Sequence, residues 1–202
     1  MNLDSTLDEP VRQRRPGGRT ADVTRRIHEA LLELLAEGGL EACTFQNIAA
    51  RANIDRSTLY RRHQGLWPLI VDAIIQMAEQ KTAPFDTGKF RTDLASTLTN
   101  LANVLNSPIG PSLMEVAGAL QLGVAPGEAE RFWESRQRQL APMYDRAIER
   151  GELPPDIDRD ELFAMAAGPL YFRKFVSAQP LSNDWVGKVV NQVCDRYDVP
   201  PG

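Results

Sequence analysis

The chain is predicted to be all-α, and three observations carry that prediction. Apolar residues recur at three- and four-residue spacing from Val23 to Tyr197, with Gly and Pro clusters between the stripes. No run alternates apolar and polar residues strongly enough to name a strand. The stretch from Thr44 to His63 reads as two short helices joined by a tight corner. The expected architecture is an N-terminal three-helix domain with this helix-turn-helix, residues 19–65. A connecting helix, 66–82, and a larger C-terminal helical domain, 83–202, follow it.

Residues 1–18 lack periodicity and carry Arg12, Arg14, Arg15, Pro16, Gly17 and Gly18, so a flexible basic arm is expected there. Such an arm can reach a minor groove or neutralise phosphates. A first long helix from about Thr20 to Glu37 would bury Val23, Ile27, Ala30, Leu31, Leu34 and Leu35, and Gly38-Gly39 stops it. Thr44 caps the next helix, whose inner face is Phe45, Ile48, Ala49 and Ala52 at i, i+3, i+4, i+7. The alanines let a second helix come close, and Asn53 tolerates the left-handed conformation that a tight corner needs. Ile54 plugs the corner from inside. Asp55 then caps a helix from Arg56 to Arg62 that buries Leu59 and leaves its other side chains to a partner.

The pattern resumes over Leu66–Lys81 with Trp67, Ile70, Val71, Ile74 and Met77, and Pro84 to Gly88 ends it at the domain boundary. Five further helices are expected at 90–106, 112–123, 128–150, 159–178 and 183–198. Asp158 with Glu161 makes a capping box, and Ser182 caps the last helix. Pro142 and Pro169 interrupt two of these helices and are expected to bend them, opening a gap between them. The apolar stripe of the last helix, Trp185, Val186, Val189, Val190, Val193, Cys194 and Tyr197, is too wide for one contact, which predicts a second partner for it.

Charge divides the chain in the same place. Residues 11–65 hold ten Arg against six Asp or Glu, net +4, whereas residues 66–202 hold thirteen Lys or Arg against eighteen Asp or Glu, net −5. A basic small module on an acidic larger one suits a protein that holds a polyanion at one end. At 43% hydrophobic and 25% charged, the composition is that of an ordinary soluble domain. The first ten residues are acidic and lack an apolar run, and the longest apolar stretch, Leu162 to Phe172, is too short to span a bilayer. A cytoplasmic location with no membrane partner is expected. Two cysteines without CxxC spacing and two histidines without HxxxH spacing give no metal site, and no cofactor is expected.

Three segments carry a family likeness: Ala30 to Gly39, Thr44 to Ala52, and Ser57-Thr58-Leu59-Tyr60-Arg61-Arg62. In order and spacing they resemble the N-terminal domain of the TetR family of transcriptional repressors, over residues 20–75. The resemblance implies a homodimer with one helix-turn-helix on each half of a palindromic operator. It also implies an all-helical C-terminal domain that dimerises through its last two helices and usually binds an inducer. Departures are specific. Asn53 stands where the family usually has Gly, Asp55 where Ser or Thr is common, and His63 where Phe or Tyr is usual. Leu66 stands where many members carry a Lys that contacts phosphate.

The expected function is therefore a ligand-responsive repressor. Thr44, Arg56, Ser57, Thr58, Tyr60, Arg61 and Arg62 are the expected DNA-binding residues, since arginine donates to guanine and Ser or Thr reaches bases or phosphate from a helix in the major groove. Trp133, Met143, Tyr144, Phe163, Tyr171 and Phe172 are the expected lining of an apolar site for a small apolar or aromatic effector. The alternatives are a regulator of this kind without an inducer, a constitutive DNA binder or activator, or a protein-interaction adaptor that has lost DNA binding. An enzyme finds no support, because no catalytic set assembles around two histidines.

Overall fold

The computed structural model describes residues 17–81 and 85–200. The expected arm lies outside them up to residue 16, and Gly17 and Gly18, expected in that arm, belong to the first helix. The described residues form nine α-helices and one π-helical turn. They are α1 Gly17–Ala42, α2 Phe45–Ala52, α3 Arg56–Arg62, α4 Leu66–Lys81, α5 Phe90–Asn106, α6 Gly110–Gln121, α7 Glu128–Glu149, α8 Arg159–Tyr171 and α9 Asn183–Arg196. The π-turn Phe172–Val176 extends α8. Among the described residues there is no strand, no helix long and apolar enough to cross a membrane, and no cluster of His, Cys, Asp or Glu able to hold a metal.

The ends of the helices follow their local sequence. Gly39 has φ 66 and ψ −162, so the helical path breaks there although hydrogen bonding carries on to Ala42. Glycine is required at this point on two grounds: its φ is left-handed, and a Cβ would lie 3.0 Å from a carboxylate oxygen of Glu115. Asp158 Oδ1 accepts from the N–H groups of Asp160 and Glu161, both at 3.0 Å, and Ser182 Oγ accepts from Trp185 N–H at 3.2 Å. Of the expected capping box, the Asp158 half is formed, and no bond from the Glu161 side chain back to Asp158 accompanies it.

Two apolar cores result. One joins α5, α7, α8 and α9 around Phe90, Leu98, Met143, Tyr144, Phe163 and Leu170. The other joins α1 to α4 around Ile27, Leu31, Leu35, Ile48, Leu59 and Ile70. The second core does not stop at the expected domain boundary. It also takes in Val104 of α5, Ile109 just before α6 and Val116 of α6, so the small module is built against the larger one.

Two expectations from helix patterning are corrected. The stripe of α9 is used up within its own chain: Val186, Val189, Val190 and Val193 are each 1–3% exposed, packed on α5 and α8. The width of that stripe arises because two helices of the same subunit cover it, and only Trp185 and Tyr197 at its edges stay partly exposed. Nor do the prolines end their helices. Helix α7 continues through Pro142, whose ring is exposed, and α8 continues through Pro169 into the π-turn, where Ser177 N–H donates to Phe172 O at 3.0 Å.

Candidate functional site

The helix-turn-helix is assembled by local bonds. Thr44 Oγ1 accepts from Asn47 N–H at 3.1 Å, starting α2. At the corner Asn53 is left-handed, φ 51 and ψ 56. Its N–H donates to Ala50 O at 3.2 Å, and the Ile54 N–H donates to Ala49 O at 3.0 Å, the paired bonds of a Schellman cap made without glycine. Arg26 of α1 donates to Ala52 O and, at 2.8 Å, to Asn53 O, so the last carbonyls of α2 meet a guanidinium. Ser57 N–H donates to Asp55 Oδ1 at 2.7 Å and starts α3; hydrogen bonding from the Ser57 side chain, then from its N–H, holds the Asp55 carboxyl below its ordinary range.

On α3 only Leu59 is buried, at 0% exposure, and it locks the helix to the core. Arg56, Ser57, Tyr60, Arg61 and Arg62 are exposed and Thr58 is partly so. Tyr60 stacks edge-on against Phe45, ring centres 4.8 Å apart, which fixes its ring while 59% of the residue remains exposed. The arginines of this module divide by their partners. Arg25 pairs with Asp22 and Glu29, and Arg51 with Glu33 and Glu37. Arg26 meets only the carbonyls of Ala52 and Asn53. Among the described residues, Arg56, Arg61 and Arg62 have no ion-pair partner, so the exposed guanidiniums of α3 carry no protein counter-charge. His63 closes α3, its Nε2 buried without a hydrogen bond; burial lowers its pKa, with Arg62 and His28 adding and Asp72 opposing. Leu66 opens α4 partly buried against the second core.

The cavity lies between α4, α5, α6 and α7, with about 760 Å³ of empty space, its mouth included. Val71, Ile74 and Met77 of α4 form one wall, Leu101 and Leu105 of α5 another, and Leu113, Val116, Ala117 and Leu120 of α6 a third. Phe132 and Arg136 of α7, with Tyr171, complete it. Of the six expected lining residues only Tyr171 is there. Met143, Tyr144 and Phe163 are in the first core, whereas Trp133 and Phe172 are 37% and 60% exposed. Sequence reading missed Arg136. The signal was present: it stands in the apolar stripe of α7, four residues from both Phe132 and Leu140, where a cation is out of place.

Two sets of polar contacts tie the cavity walls to the helix-turn-helix. Arg131 of α7 bonds Asp72 at 2.5 Å and Pro68 O at 3.2 Å, and Gln139 donates to Ala78 O at 2.9 Å, so α7 holds α4 near both ends. From α6, Ser112 donates to Leu35 O at 2.6 Å, and Glu115 accepts from Leu40 N–H at 3.0 Å, at the break in α1.

An exposed, capped, cationic short helix held at a tight corner on a three-helix core defines a helix-turn-helix DNA-binding regulator. Residues 27–65 match the family described as bacterial regulatory proteins, tetR family, and residues 84–193 match the tetracyclin repressor-like C-terminal domain. The chain belongs to the TetR family of transcriptional regulators, which are DNA-binding transcription factors and not enzymes. Among its relatives is the uncharacterized helix-turn-helix regulator YdeS of Bacillus subtilis, 29% identical over 168 residues, covering 82% of this chain and 85% of that one. Another is the DNA-binding transcriptional repressor TetR of Mycobacteroides abscessus, 29% identical over 175 residues, covering 80% and 86%. In structure the chain is similar to the TetR family regulator SCO0332, with a TM-score of 0.73 and 25% identity over 90% of this chain and 98% of that one.

Proposed function

We propose that the chain is a ligand-responsive repressor that binds a palindromic operator as a homodimer, with α3 of each subunit in successive major grooves. The observation that carries this is the set of exposed cations on α3, Arg56, Arg61 and Arg62, which lack a counter-charge among the described residues while Leu59 anchors the helix beneath them. Arg56, in the first turn, reads a base edge; Arg61 and Arg62, in the last turn, meet phosphate; Ser57, Thr58 and Tyr60 add contacts, and Thr44 at the start of α2 reaches the backbone.

The dimer forms through α8. Ala164, Gly168 and Phe172 recur every four residues on its exposed face, and Val176, 69% exposed, continues the line. Gly168 has open space where a Cβ would stand, which allows a second helix to come close. Effector response follows from the cavity walls. Helices α4 and α6 face the cavity with one side and bond or pack against the helix-turn-helix core with the other. A ligand that prefers a different setting of these walls changes the distance between the two recognition helices from the value, about 34 to 36 Å, that one turn of B-DNA demands. Selection of bound sequences from a random DNA pool is the test. A palindrome with half-sites one turn apart is expected, and an asymmetric or absent consensus would reject the operator model.

A further inference from the structure

The Tyr171 hydroxyl belongs to an apolar wall and makes no hydrogen bond among the described residues. The residue ends α8 partly buried, its ring beside that of Phe175 with centres 6.4 Å apart. Around it the lining is hydrocarbon: Ile74 and Met77 of α4, Leu101 of α5, Val116 and Leu120 of α6. Burial raises the Tyr171 pKa against the pull of Arg136, so the group is a neutral O–H. The Arg136 guanidinium, also in the wall, is engaged by its own chain. Its Nη1 donates to Gln139 Oε1 at 2.6 Å, and its carbon lies 5.6 Å from the centre of the Phe163 ring. We propose that the effector is a neutral, largely hydrocarbon molecule with one hydrogen-bond-accepting oxygen, such as that of a ketone or ester, which the Tyr171 hydroxyl receives. This rests on the reading of the cavity as the effector site and adds the polar contact that orients the ligand there.

Each part of this description follows from the wall. An ionised ligand would give up its water for a lining whose charged residue already serves its own chain, so burial of the ion goes largely uncompensated. A pure hydrocarbon would instead leave the phenol dry and unpaired, and a single oxygen placed against it removes that loss. The oxygen is an acceptor because the phenol is the donor. Arg136, near enough to act on Tyr171, attracts the oxygen end of the O–H dipole and leaves the proton for the ligand. The volume, about 760 Å³ with the mouth, lies within the roughly 300 to 1,000 Å³ typical of ligand sites. The position of Tyr171 also gives the contact a mechanical consequence. It stands one residue before Phe172 on the helix proposed to hold the dimer, so a ligand bonded to it touches α8 as well as α4 and α6. The elements that set the partner's position and those that carry the helix-turn-helix then share one ligand.

The test takes the full chain and four probes of one shape: 4-phenylbutan-2-one, its hydrocarbon counterpart butylbenzene, and the charged counterparts 3-phenylpropanoate and 3-phenylpropan-1-aminium. Binding is read by titration calorimetry and by release of the selected operator. Wild type should bind the ketone at least about tenfold more tightly than either ion. Tyr171→Phe should weaken the ketone by about three- to tenfold, the size of one hydrogen bond, and leave butylbenzene unchanged. The infrared carbonyl stretch of the bound ketone should lie below its position in hexane, which decides the matter on wild type if Tyr171→Phe does not fold. A stretch unmoved from hexane, an equal response of ketone and butylbenzene to Tyr171→Phe, or either ion binding as tightly as the ketone overturns the proposal. Ala117→Trp, at an exposed position of the cavity lining, separates this inference from the reading beneath it. If ketone and butylbenzene are both lost in Ala117→Trp but respond alike to Tyr171→Phe, the effector site stands and the oxygen contact falls. If no probe binds up to its solubility, or binding ignores Ala117→Trp or leaves the operator in place, the effector site itself is rejected and the proposal with it.

Discussion

On α3, Arg56, Arg61 and Arg62 stand in water on a helix seven residues long, whereas Arg136 of α7 is 6% exposed in an apolar wall. The same side chain is used under opposite dielectric conditions. Two unit charges 4 Å apart interact by about 1 kcal/mol in water and about 4 kcal/mol at an effective dielectric constant of 20. The outer set must therefore act in numbers, on a polyanion, with strong dependence on salt, while the charge of the inner one is felt more strongly by each of its neighbours. The two regions also differ in how they are made. The helix-turn-helix uses twenty consecutive residues and bonds between near neighbours, while the cavity gathers side chains from Val71 to Tyr171 on different helices.

Four kinds of variant on the DNA side, and one pH experiment, sharpen this contrast. The largest effect is expected from Phe172→Glu, which sets a carboxylate into the proposed α8 interface at a site 60% exposed in the single chain, so the fold should survive while the dimer does not. Sedimentation should show monomers, and operator affinity should fall to that of a single half-site; a dimer of unchanged affinity would move the interface elsewhere. Leu59→Ala, at 0% exposure, should lower stability by about 2 to 5 kcal/mol and loosen α3, visible as a shift of the denaturant midpoint. Arg56→Ala should lose roughly 1 to 3 kcal/mol on the operator and little on random DNA, in competition gel shifts. Equal losses on both would assign it to phosphate.

Arg61→Ala and Arg62→Ala should each reduce the slope of log affinity against log salt by about 0.9 while leaving the melting temperature alone. Arg51→Ala is the matched control, since that guanidinium is already paired with Glu37 at 2.6 Å and Glu33 at 3.2 Å. The smallest effect concerns His63. Its pKa is lowered in the folded chain, so the unfolded chain takes up the proton first as pH falls through the ordinary value of 6.5. Its contribution is complete above that pH and declines below it. Melting temperature should fall between pH about 7.5 and about 5.5 by less in His63→Phe than in the wild type.

The readings from sequence succeeded where one stretch of chain carries both the cause and the effect. Asn53 at the corner, Asp55 and Thr44 as caps, Leu59 as the anchor, Ser182 and Asp158 further on, and the Gly38-Gly39 break are all set by steric and hydrogen-bonding preferences that act within four or five residues. The family resemblance rests on the same local signals, and the matches to both of its domains support it. They failed where a stripe had to be assigned a partner. The width of the α9 stripe predicts a second partner, yet Val190 within it is buried in its own chain, because an apolar stripe records that a face is covered and does not record by what.

Sequence by itself thus determined nine helices, their order, the corner and the cationic surface of α3, because each depends on periodicity and local bonding. Only the tertiary structure decided that α9 packs most of its apolar face within its own chain, that α4, α5, α6 and α7 enclose a hollow, and that Arg136 lines it. Those facts depend on which faces meet across up to a hundred residues of chain, and close packing fixes that choice through the shapes of all the side chains at once.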